Sequence, residues 1–351
     1  MVREKSQKSQ EISLIFWNFF MNKLNGLQNR QSSLIDFKER FKKKKMAQSA
    51  TLLARIVASS VIVVNRAGKI IRDVMSRGEL NIIEKGKNDL QTEADRSAQK
   101  CIISSLSKHF PNITIIGEDN SASCEIPSDW IVTDMDQEIL TLKLPESLDN
   151  IEAKNICVWV DPLDGTSEYT QGLVEHVTVL VGVAVGKRAV AGIIHQPYYK
   201  NDNNGSLGRT IWGIDGVGIG GFKNISPPIG KRILTTSRSH SNETVEKAVN
   251  SLEPTEVLRV GGAGHKVMLL LEGKAHCYVF ASKGSKRWDT CAPEAILHAV
   301  GGKLTDLLGQ TYNYDSKTDF PNIGGVLATA PDEDHRWYLN HIPDEIKQKF
   351  Q

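Results

Sequence analysis

The segment Cys157–Thr170, with the sequence CVWVDPLDGTSEYT, restricts the fold of this chain more than any other stretch. Its apolar, β-prone start predicts a buried strand. Asp161 and Asp164 follow three residues apart, and Pro162 favours extended backbone at Asp161. Because open α/β sheets bind their ligands at the carboxyl ends of strands, this segment predicts an α/β fold with a ligand site here.

The two aspartates allow two interpretations. Neighbouring carboxylates repel each other unless a cation neutralises them, and Mg²⁺ prefers such oxygen ligands. Alternatively, Asp161 only ends the strand and Asp164 forms a turn with Gly165, since Asp-Pro and Asp-Gly pairs are common in turns. A short helix starting after Gly165 would direct free N–H groups towards whatever lies between the aspartates.

Composition limits the class of protein. The 351 residues are 40% hydrophobic and 24% charged, which is typical of a soluble protein with one large domain or two closely packed subdomains. The net charge of +2 is uneven, because residues 1–45 carry 11 basic and 4 acidic side chains. The rest of the chain is therefore mildly acidic and gives no electrostatic reason to expect nucleic-acid binding.

The five cysteines and the first 45 residues suggest a location. The cysteines are odd in number and have no CxxC spacing, which predicts reduced thiols, no structural zinc site and a cytoplasmic protein. The apolar run Ile12–Phe20 is too short to span a bilayer, so no membrane association is expected. We predict a disordered extension over 1–45, for which a targeting signal is the alternative, an N-terminal α/β half over 46–230 and a C-terminal α/β half over 231–351.

Hydrophobic periodicity predicts the order of the elements. Helices are expected over 49–77, up to about 110, 242–252, 265–272 and up to 300. Strands are expected over 81–84, 113–116, 157–160, 177–185, 189–195, 210–214, 219–223, 232–236, 257–260 and 277–280, and near Leu304 and Val326. The polar segment 120–155 is interpreted as a surface insertion.

Three further acids lie at the ends of predicted elements. Glu118 follows the strand 113–116, and Asp289 precedes Pro293, which suits a first helical turn. Asp95 lies three residues after Thr92, the spacing of a capping box. Each acid therefore also has an ordinary structural explanation as a cap or turn residue.

Taken together, these motifs resemble one family. The sequence DPLDGT at 161–166, followed by WDTCAPE at 288–294, is similar to the magnesium-dependent, lithium-sensitive inositol monophosphatase superfamily. Gly117 and Glu118 match its upstream acidic motif, and the resemblance covers about 48–345. It implies an αβαβα sandwich of alternating helix and sheet layers, in which two α/β halves share one cleft.

Within that superfamily, five segments resemble the bisphosphate nucleotidases: 89–96, 195–199, 208–213, 237–241 and 259–264. The resemblance implies removal of the 3′-phosphate from 3′-phosphoadenosine 5′-phosphate, giving AMP and phosphate, with the phosphosulfate analogue and inositol 1,4-bisphosphate as further substrates. The partner would be this small molecule, and the chain a monomer or weak oligomer. The alternatives are an inositol monophosphatase, an inositol polyphosphate 1-phosphatase, or an inactive sensor that binds nucleotide.

The resemblance also implies residue roles. Two or three Mg²⁺ ions would be bound by Glu118, Asp161, the carbonyl of Leu163, Asp164 and Asp289. Asp95 and Thr166 would orient and deprotonate the attacking water, since a hydroxyl between water and carboxylate can relay a proton. The substrate would contact Gly165, Thr166, Ser237, His240, Gly262 and Lys266. For His240 and Lys266, a polar loop residue and a solvated helix lysine are the alternatives.

Overall fold

The computed structural model describes residues 46–47, 49–86, 89–118, 126–201 and 205–351. Contacts divide the chain into residues 1–50 and 51–351, and the fold below is that of the second unit. The predictions for residues 1–45, and that for Cys124, lie outside the described residues. Within the described ranges, no helix combines the length and the apolar character needed to cross a membrane.

The second unit is built from α-helices and β-strands. The helices are α1 (Leu52–Arg77), α2 (Glu93–His109), α3 (Glu146–Asp149), α4 (Thr166–Thr170), α5 (Glu243–Ser251), α6 (Ala263–Leu271), α7 (Arg287–Ala299), α8 (His335–His341) and α9 (Asp344–Lys347). The strands are β1 (Ile83–Gly86), β2 (Asp89–Gln91), β3 (Thr114–Gly117), β4 (Ile156–Asp164), β5 (Thr178–Val185), β6 (Arg188–Lys200), β7 (Leu207–Ile214), β8 (Gly218–Gly220), β9 (Ile233–Ser237), β10 (Glu256–Val260), β11 (Cys277–Phe280), β12 (Lys303–Thr305) and β13 (Val326–Thr329).

The strands form two larger sheets and one hairpin. A six-stranded sheet has the order β3-β4-β5-β6-β7-β8, and β3 and β4 are its parallel pair. A five-stranded sheet has the order β10-β9-β11-β13-β12 and is mixed. Strands β1 and β2 pair separately. Because β3 and β4 run parallel, their carboxyl ends meet at one edge of the sheet.

Helices cover both sheets and produce the alternating layers that the resemblance implied. Helices α1 and α2 pack on the six-stranded sheet, α6 and α7 contact both sheets, and α5 and α8 pack on the five-stranded sheet. All nine residues of β4 are buried, as expected for a strand covered on both faces. The predicted α/β sandwich is therefore confirmed.

Most predicted elements are present, with corrected ends. Helix α1 begins after Thr51, whose side chain accepts a hydrogen bond from Ala54 N, and ends at Gly78, where φ is 76°. Strand β6 continues to Lys200, five residues beyond the predicted end, because Gln196 still pairs with Arg209 of β7. The short hairpin strand β2 was not predicted, since its sequence DLQ is mostly polar.

Two predictions were wrong in part. The described part of the insertion, 126–155, is not only surface chain, because Ile139, Leu140, Leu144 and Leu148 are buried. Its mostly polar composition concealed these apolar anchors. Pro293 lies inside α7, well beyond its first turn. A proline here cannot donate to the carbonyl four residues earlier, that of Asp289, so the helix tolerates one missing bond.

The proposed boundary between two halves stays a prediction. The six-stranded sheet uses residues 114–220 and the five-stranded sheet uses residues 233–329. The four described cysteines, Cys101, Cys157, Cys277 and Cys291, are free and buried, as expected for packed thiols.

Candidate active site

Strand β4 and the turn after it position the two central aspartates. Asp161 pairs with Leu180 and Asp164 with Thr178, so β4 has one residue more than β5 between these pairs. Such a bulge turns successive side chains in new directions. Leu163 N donates to Asp161 Oδ1 at 3.0 Å. Gly165 then adopts φ 90°, and α4 begins at Thr166.

The carboxylate of Asp164 is held by β5 and by the start of α6. It accepts hydrogen bonds from Thr178 Oγ1 at 2.6 Å and from the backbone N–H groups of Ala263 and Gly264, each at 2.8 Å. Burial raises the pKa of Asp164, and these hydrogen bonds together with the Lys266 charge oppose the shift. The start of α6 is thereby fixed against the end of β4.

Four carboxylates meet at this edge of the six-stranded sheet. Glu118 follows β3, its N–H donates to Val160 O at 3.2 Å, and Asp289 lies in the first turn of α7. Burial, then the charges of Glu118, Asp164 and Asp289, raise the pKa of Asp161 well above its usual range. Burial is also the main reason that the pKa of Glu118 rises to about 7 and that of Asp289 to about 6. Burial and mutual repulsion therefore disfavour the ionised forms of these carboxylates, and a bound cation would favour them again.

The carboxylates fit a divalent cation chemically but do not already enclose one. Among the residues described, no three His, Cys, Asp or Glu side chains are arranged so as to hold a metal ion. Glu118 Oε1 instead accepts from Lys85 Nζ at 2.8 Å, and the Leu163 carbonyl lies 3.0 Å from Thr166 Oγ1, whose single proton it shares with Asp95. The donor set nevertheless fits Mg²⁺, because it consists of oxygen ligands only and its carboxylates repel one another unless a cation neutralises them.

Asp95 uses its two oxygens for different purposes. One oxygen accepts from Thr92 N at 2.8 Å, which is the capping box expected from the sequence, and the other accepts from Thr166 Oγ1 at 3.0 Å. Burial raises the pKa of Asp95, and the bonds from Thr92 and Thr166 oppose the shift. Asp95 therefore caps α2 and contacts Thr166 at the same time, so its side chain links α2 to α4.

A cavity of about 360 Å³ opens above the carboxylates and brings the predicted residues together. It is lined by Glu118, Asp161, Leu163, Asp164, Gly165, Thr166, Ser237, His240, Gly262, Lys266 and Asp289. Asp95 lies behind Thr166. Every predicted site residue thus lies at the cavity or in contact with a residue that lines it.

Two of the predicted substrate residues differ in setting. His240 is exposed, and its ring lies edge-on to Phe280 with centroids 6.5 Å apart. Lys266 is only 4% exposed, and its Nζ donates to the Gly262 carbonyl at 2.9 Å. The alternative of a solvated helix lysine is therefore wrong, because α6 packs this face against Tyr278.

The cavity also contains residues that the sequence did not single out. Glu168, Tyr278, Phe280 and Trp288 line it, together with Lys283 and Lys286. Glu168 lies two residues after Thr166, inside the central motif, and this position could have indicated that it lines the cavity. The aromatic residues lie at strand and helix ends, where periodicity alone cannot distinguish a cavity wall from core.

Comparison with known proteins gives one family. The family described as "Inositol monophosphatase family" matches residues 53–347. The chain is 50% identical to 3′(2′),5′-bisphosphate nucleotidase 1 of Homo sapiens over 305 residues, which is 86% of this chain and 98% of that protein. It is 48% identical to the protein of the same name from Mus musculus, with the same coverage.

Solved structures with the same fold are more distant in sequence. An inositol monophosphatase of Thermotoga maritima has a TM-score of 0.59 at 17% identity, covering 83% of this chain and 98% of its own. A structure titled as an IMPase/NADP phosphatase complexed with Mg²⁺ and phosphate has a TM-score of 0.55 at 16% identity, covering 78% and 90%. At such identities the likeness concerns the fold alone.

Proposed function

Because the chain belongs to the inositol monophosphatase family, we propose that it is a magnesium-dependent phosphomonoesterase that removes the 3′-phosphate of 3′-phosphoadenosine 5′-phosphate, giving AMP and phosphate. The phosphosulfate analogue and inositol 1,4-bisphosphate are proposed as further substrates. The observation that carries this proposal is the cluster of Glu118, Asp161, Asp164 and Asp289 beside the contact between Asp95 and Thr166.

The acidic cluster would hold the metal, and the Asp95–Thr166 pair would move the proton. Bound magnesium supplies charge neutralisation for the phosphoryl oxygens and lowers the pKa of the attacking water. We assign two or three Mg²⁺ ions to Glu118, Asp161, Asp164, Asp289 and the carbonyl of Leu163. Thr166 Oγ1, 3.0 Å from Asp95 Oδ1, orients the water and passes its proton to that carboxylate. Asp95 is fixed for this role by its second oxygen, which is bound to Thr92.

The nucleoside would lie in the part of the cavity that His240 lines. The His240 ring lies edge-on to Phe280 and the His240 backbone N–H donates to Ser237 Oγ, so these three residues lie together, while Gly262 lines the cavity close to Asp164. An adenine ring can stack on such a surface, whereas an inositol ring needs no aromatic wall. The Mus musculus and Homo sapiens relatives, 48% and 50% identical to this chain, are named as bisphosphate nucleotidases, which supports the same choice.

An inositol phosphate phosphatase is the second candidate, because of one observation. The ammonium of Lys266 is buried and donates to the Gly262 carbonyl, so it is not presented freely to a second phosphate. Binding of a 5′-phosphate at Lys266 would need that bond to be exchanged. This candidate keeps the metal site and changes only the substrate.

Phosphate release tests the proposal directly. The purified chain with Mg²⁺ is given 3′-phosphoadenosine 5′-phosphate and, in parallel, inositol 1-phosphate, with Asp161→Asn as the control variant. We expect preferential release from the nucleotide and its loss in Asp161→Asn. Preferential release from inositol 1-phosphate would favour the second candidate. Binding of the nucleotide with no release from either compound would indicate an inactive sensor.

We also propose a cytoplasmic location, which is supported by the free, buried thiols of the described cysteines. Fractionation of cells that express the full chain tests it, and recovery in a membrane or organelle fraction would contradict it.

A further inference from the structure

Helix α4, which begins with the candidate catalytic residue Thr166, has only five residues. A helix this short has little stability of its own, so its position depends on tertiary contacts. Thr166 contacts Asp95, and the hydroxyl of Tyr169 donates to the Ile71 carbonyl of α1 at 2.9 Å. These contacts fix α4 to α1 and α2 but do not involve the five-stranded sheet.

The side chain of Arg238 connects α4 to the five-stranded sheet by hydrogen bonds. Arg238 follows β9, and its Nη2 donates to Glu168 Oε1 at 3.2 Å and to Gln171 Oε1 at 2.8 Å. Glu168 belongs to α4, and Gln171 is the residue directly after it. The Arg238 side chain thus joins the catalytic helix to the end of β9.

The carboxylate of Glu168 has little freedom to find another partner. Its side chain is only 3% exposed, and a Cβ at Gly261 would lie 1.9 Å from its carboxyl carbon. A buried carboxylate is costly unless a charge or hydrogen bonds compensate it. Arg238 supplies both, while the bare backbone of Gly261 leaves the space that Glu168 needs.

The loop that carries Arg238 is also the loop that carries two proposed nucleoside contacts. Ser237 and His240 line the cavity on either side of Arg238, and His240 N donates to Ser237 Oγ at 3.1 Å. Arg238 N donates to Val260 O at 3.2 Å, which holds the loop beside Gly261 and Gly262. A shift of Arg238 relative to Glu168 would therefore move the nucleoside contacts relative to Thr166.

We propose that Arg238 is a positioning residue that holds the nucleoside-binding loop 237–240 in register with the catalytic helix α4 through Glu168 and Gln171. This inference rests on the proposed function, because it assumes that the substrate touches both elements. Arg238 itself does not contact the substrate in this scheme. Its effect is on the relative position of the two parts of the substrate, the base and the reacting phosphate.

The test compares Arg238→Gln, Arg238→Lys and Glu168→Gln with the full chain. We expect Arg238→Gln to weaken AMP binding, measured by calorimetry with Mg²⁺ present, about tenfold and to raise KM for 3′-phosphoadenosine 5′-phosphate similarly. Arg238→Lys should recover part of the loss because it keeps the charge. Arg188→Gln is the matched control, since its 2.8 Å ion pair with Asp215 lies at the surface.

The double variant Arg238→Gln/Glu168→Gln isolates the coupling. If Arg238 and Glu168 act through their contact with each other, the double variant should bind AMP no more weakly than the single variant that has the lower AMP affinity. Fully additive losses, or AMP affinity in Arg238→Gln equal to that in Arg188→Gln, would overturn the positioning role. A wild-type chain that neither binds AMP nor hydrolyses the nucleotide would overturn the proposed function itself, and this inference with it.

Discussion

At the scale of single residues, Asp95 has both a structural and a proposed catalytic role, and one substitution can distinguish them. We predict that Asp95→Asn lowers kcat roughly a thousandfold, because an amide cannot accept the proton passed by Thr166. Stability should fall by only about 1 kcal/mol, since the amide oxygen can still cap α2. Steady-state kinetics and urea unfolding measure the two effects.

The control for this change is another capping aspartate. Asp334 accepts from Arg336 N and Trp337 N at the start of α8, away from the cavity. Asp334→Asn should alter stability by a similar amount and leave kcat unchanged. If kcat of Asp95→Asn falls less than tenfold, Asp95 is only a cap.

Glu294 is a second residue with a testable charge state. It is buried in α7 and accepts from the Tyr314 hydroxyl at 2.6 Å, and burial raises its pKa to about 7 from 4.5. Between these pH values the folded chain holds a proton that the unfolded chain has lost. Stability therefore falls as the pH rises through this range, by about 3 kcal/mol.

We predict that Glu294→Gln removes this loss, so that the variant is more stable than wild type at pH 8 but not at pH 5. Urea unfolding at both pH values measures it. Glu333→Gln is the matched control, because Glu333 accepts from Tyr338 at 2.7 Å in a less buried setting and should leave the pH dependence in place. A pH dependence retained in Glu294→Gln would contradict the assignment.

Whether a contact of the site could be predicted from the sequence depends on how far apart its two residues lie along the chain. The capping box of Thr92 and Asp95 is local, so it could be predicted from spacing. The contact of Asp95 to Thr166 joins residues 71 positions apart, and only the family resemblance suggested it. The burial of Lys266 depends on how α6 packs on Tyr278, which no local pattern contains.

At the scale of elements, a row of glycines decides how closely α7 approaches the six-stranded sheet. Gly182, Gly192 and Gly213 are direct neighbours across β5, β6 and β7. A Cβ at Gly192 would lie 2.2 Å from the Ala292 carbonyl oxygen, and one at Gly213 would lie 2.9 Å from Ile296 Cα. The helix that carries Asp289 therefore rests directly on strand backbone.

We predict that Gly192→Ala destabilises the fold by about 2 kcal/mol and weakens Mg²⁺ binding about tenfold, because α7 must move and takes Asp289 with it. Thermal unfolding and calorimetric Mg²⁺ titration measure the two effects. Ala191→Gly, on the opposite face of β6, should destabilise without changing Mg²⁺ affinity. Equal Mg²⁺ affinity in both variants would show that α7 does not set the position of Asp289.

The same elements show where periodicity stops being informative. The strand that leads to Asp161 and the helix that contains Asp289 could be predicted from apolar runs, because burial on one or both faces requires apolar residues at regular spacing. The glycine row could not be recognised, because its three members lie on different strands and only pairing brings them together. The wrong position assumed for Pro293 has the same origin: its place in α7 is set by packing.

At the scale of the whole molecule, the acidic cluster links metal binding to stability. Its carboxylates lie directly after β3, in β4 and in α7, and their charges raise one another's pKa values. Folding without a cation therefore brings repelling groups together, which composition and periodicity could not have revealed. A cation bound only by the folded chain would stabilise it by about 2.7 kcal/mol at a hundredfold excess over Kd.

We predict that Mg²⁺ at this excess raises Tm by roughly 5 °C over the same protein in a chelator. Asp161→Asn should reverse the order: without metal it should be more stable than wild type, because one repelling charge is gone, and Mg²⁺ should raise its Tm little. Asp306→Asn is the control, because Asp306 accepts from the backbone of Leu308 and Gln310 and should lose stability equally with and without Mg²⁺. If Asp161→Asn is instead less stable in the chelator and keeps the full Mg²⁺ shift, the cluster supports the fold and the metal binds elsewhere.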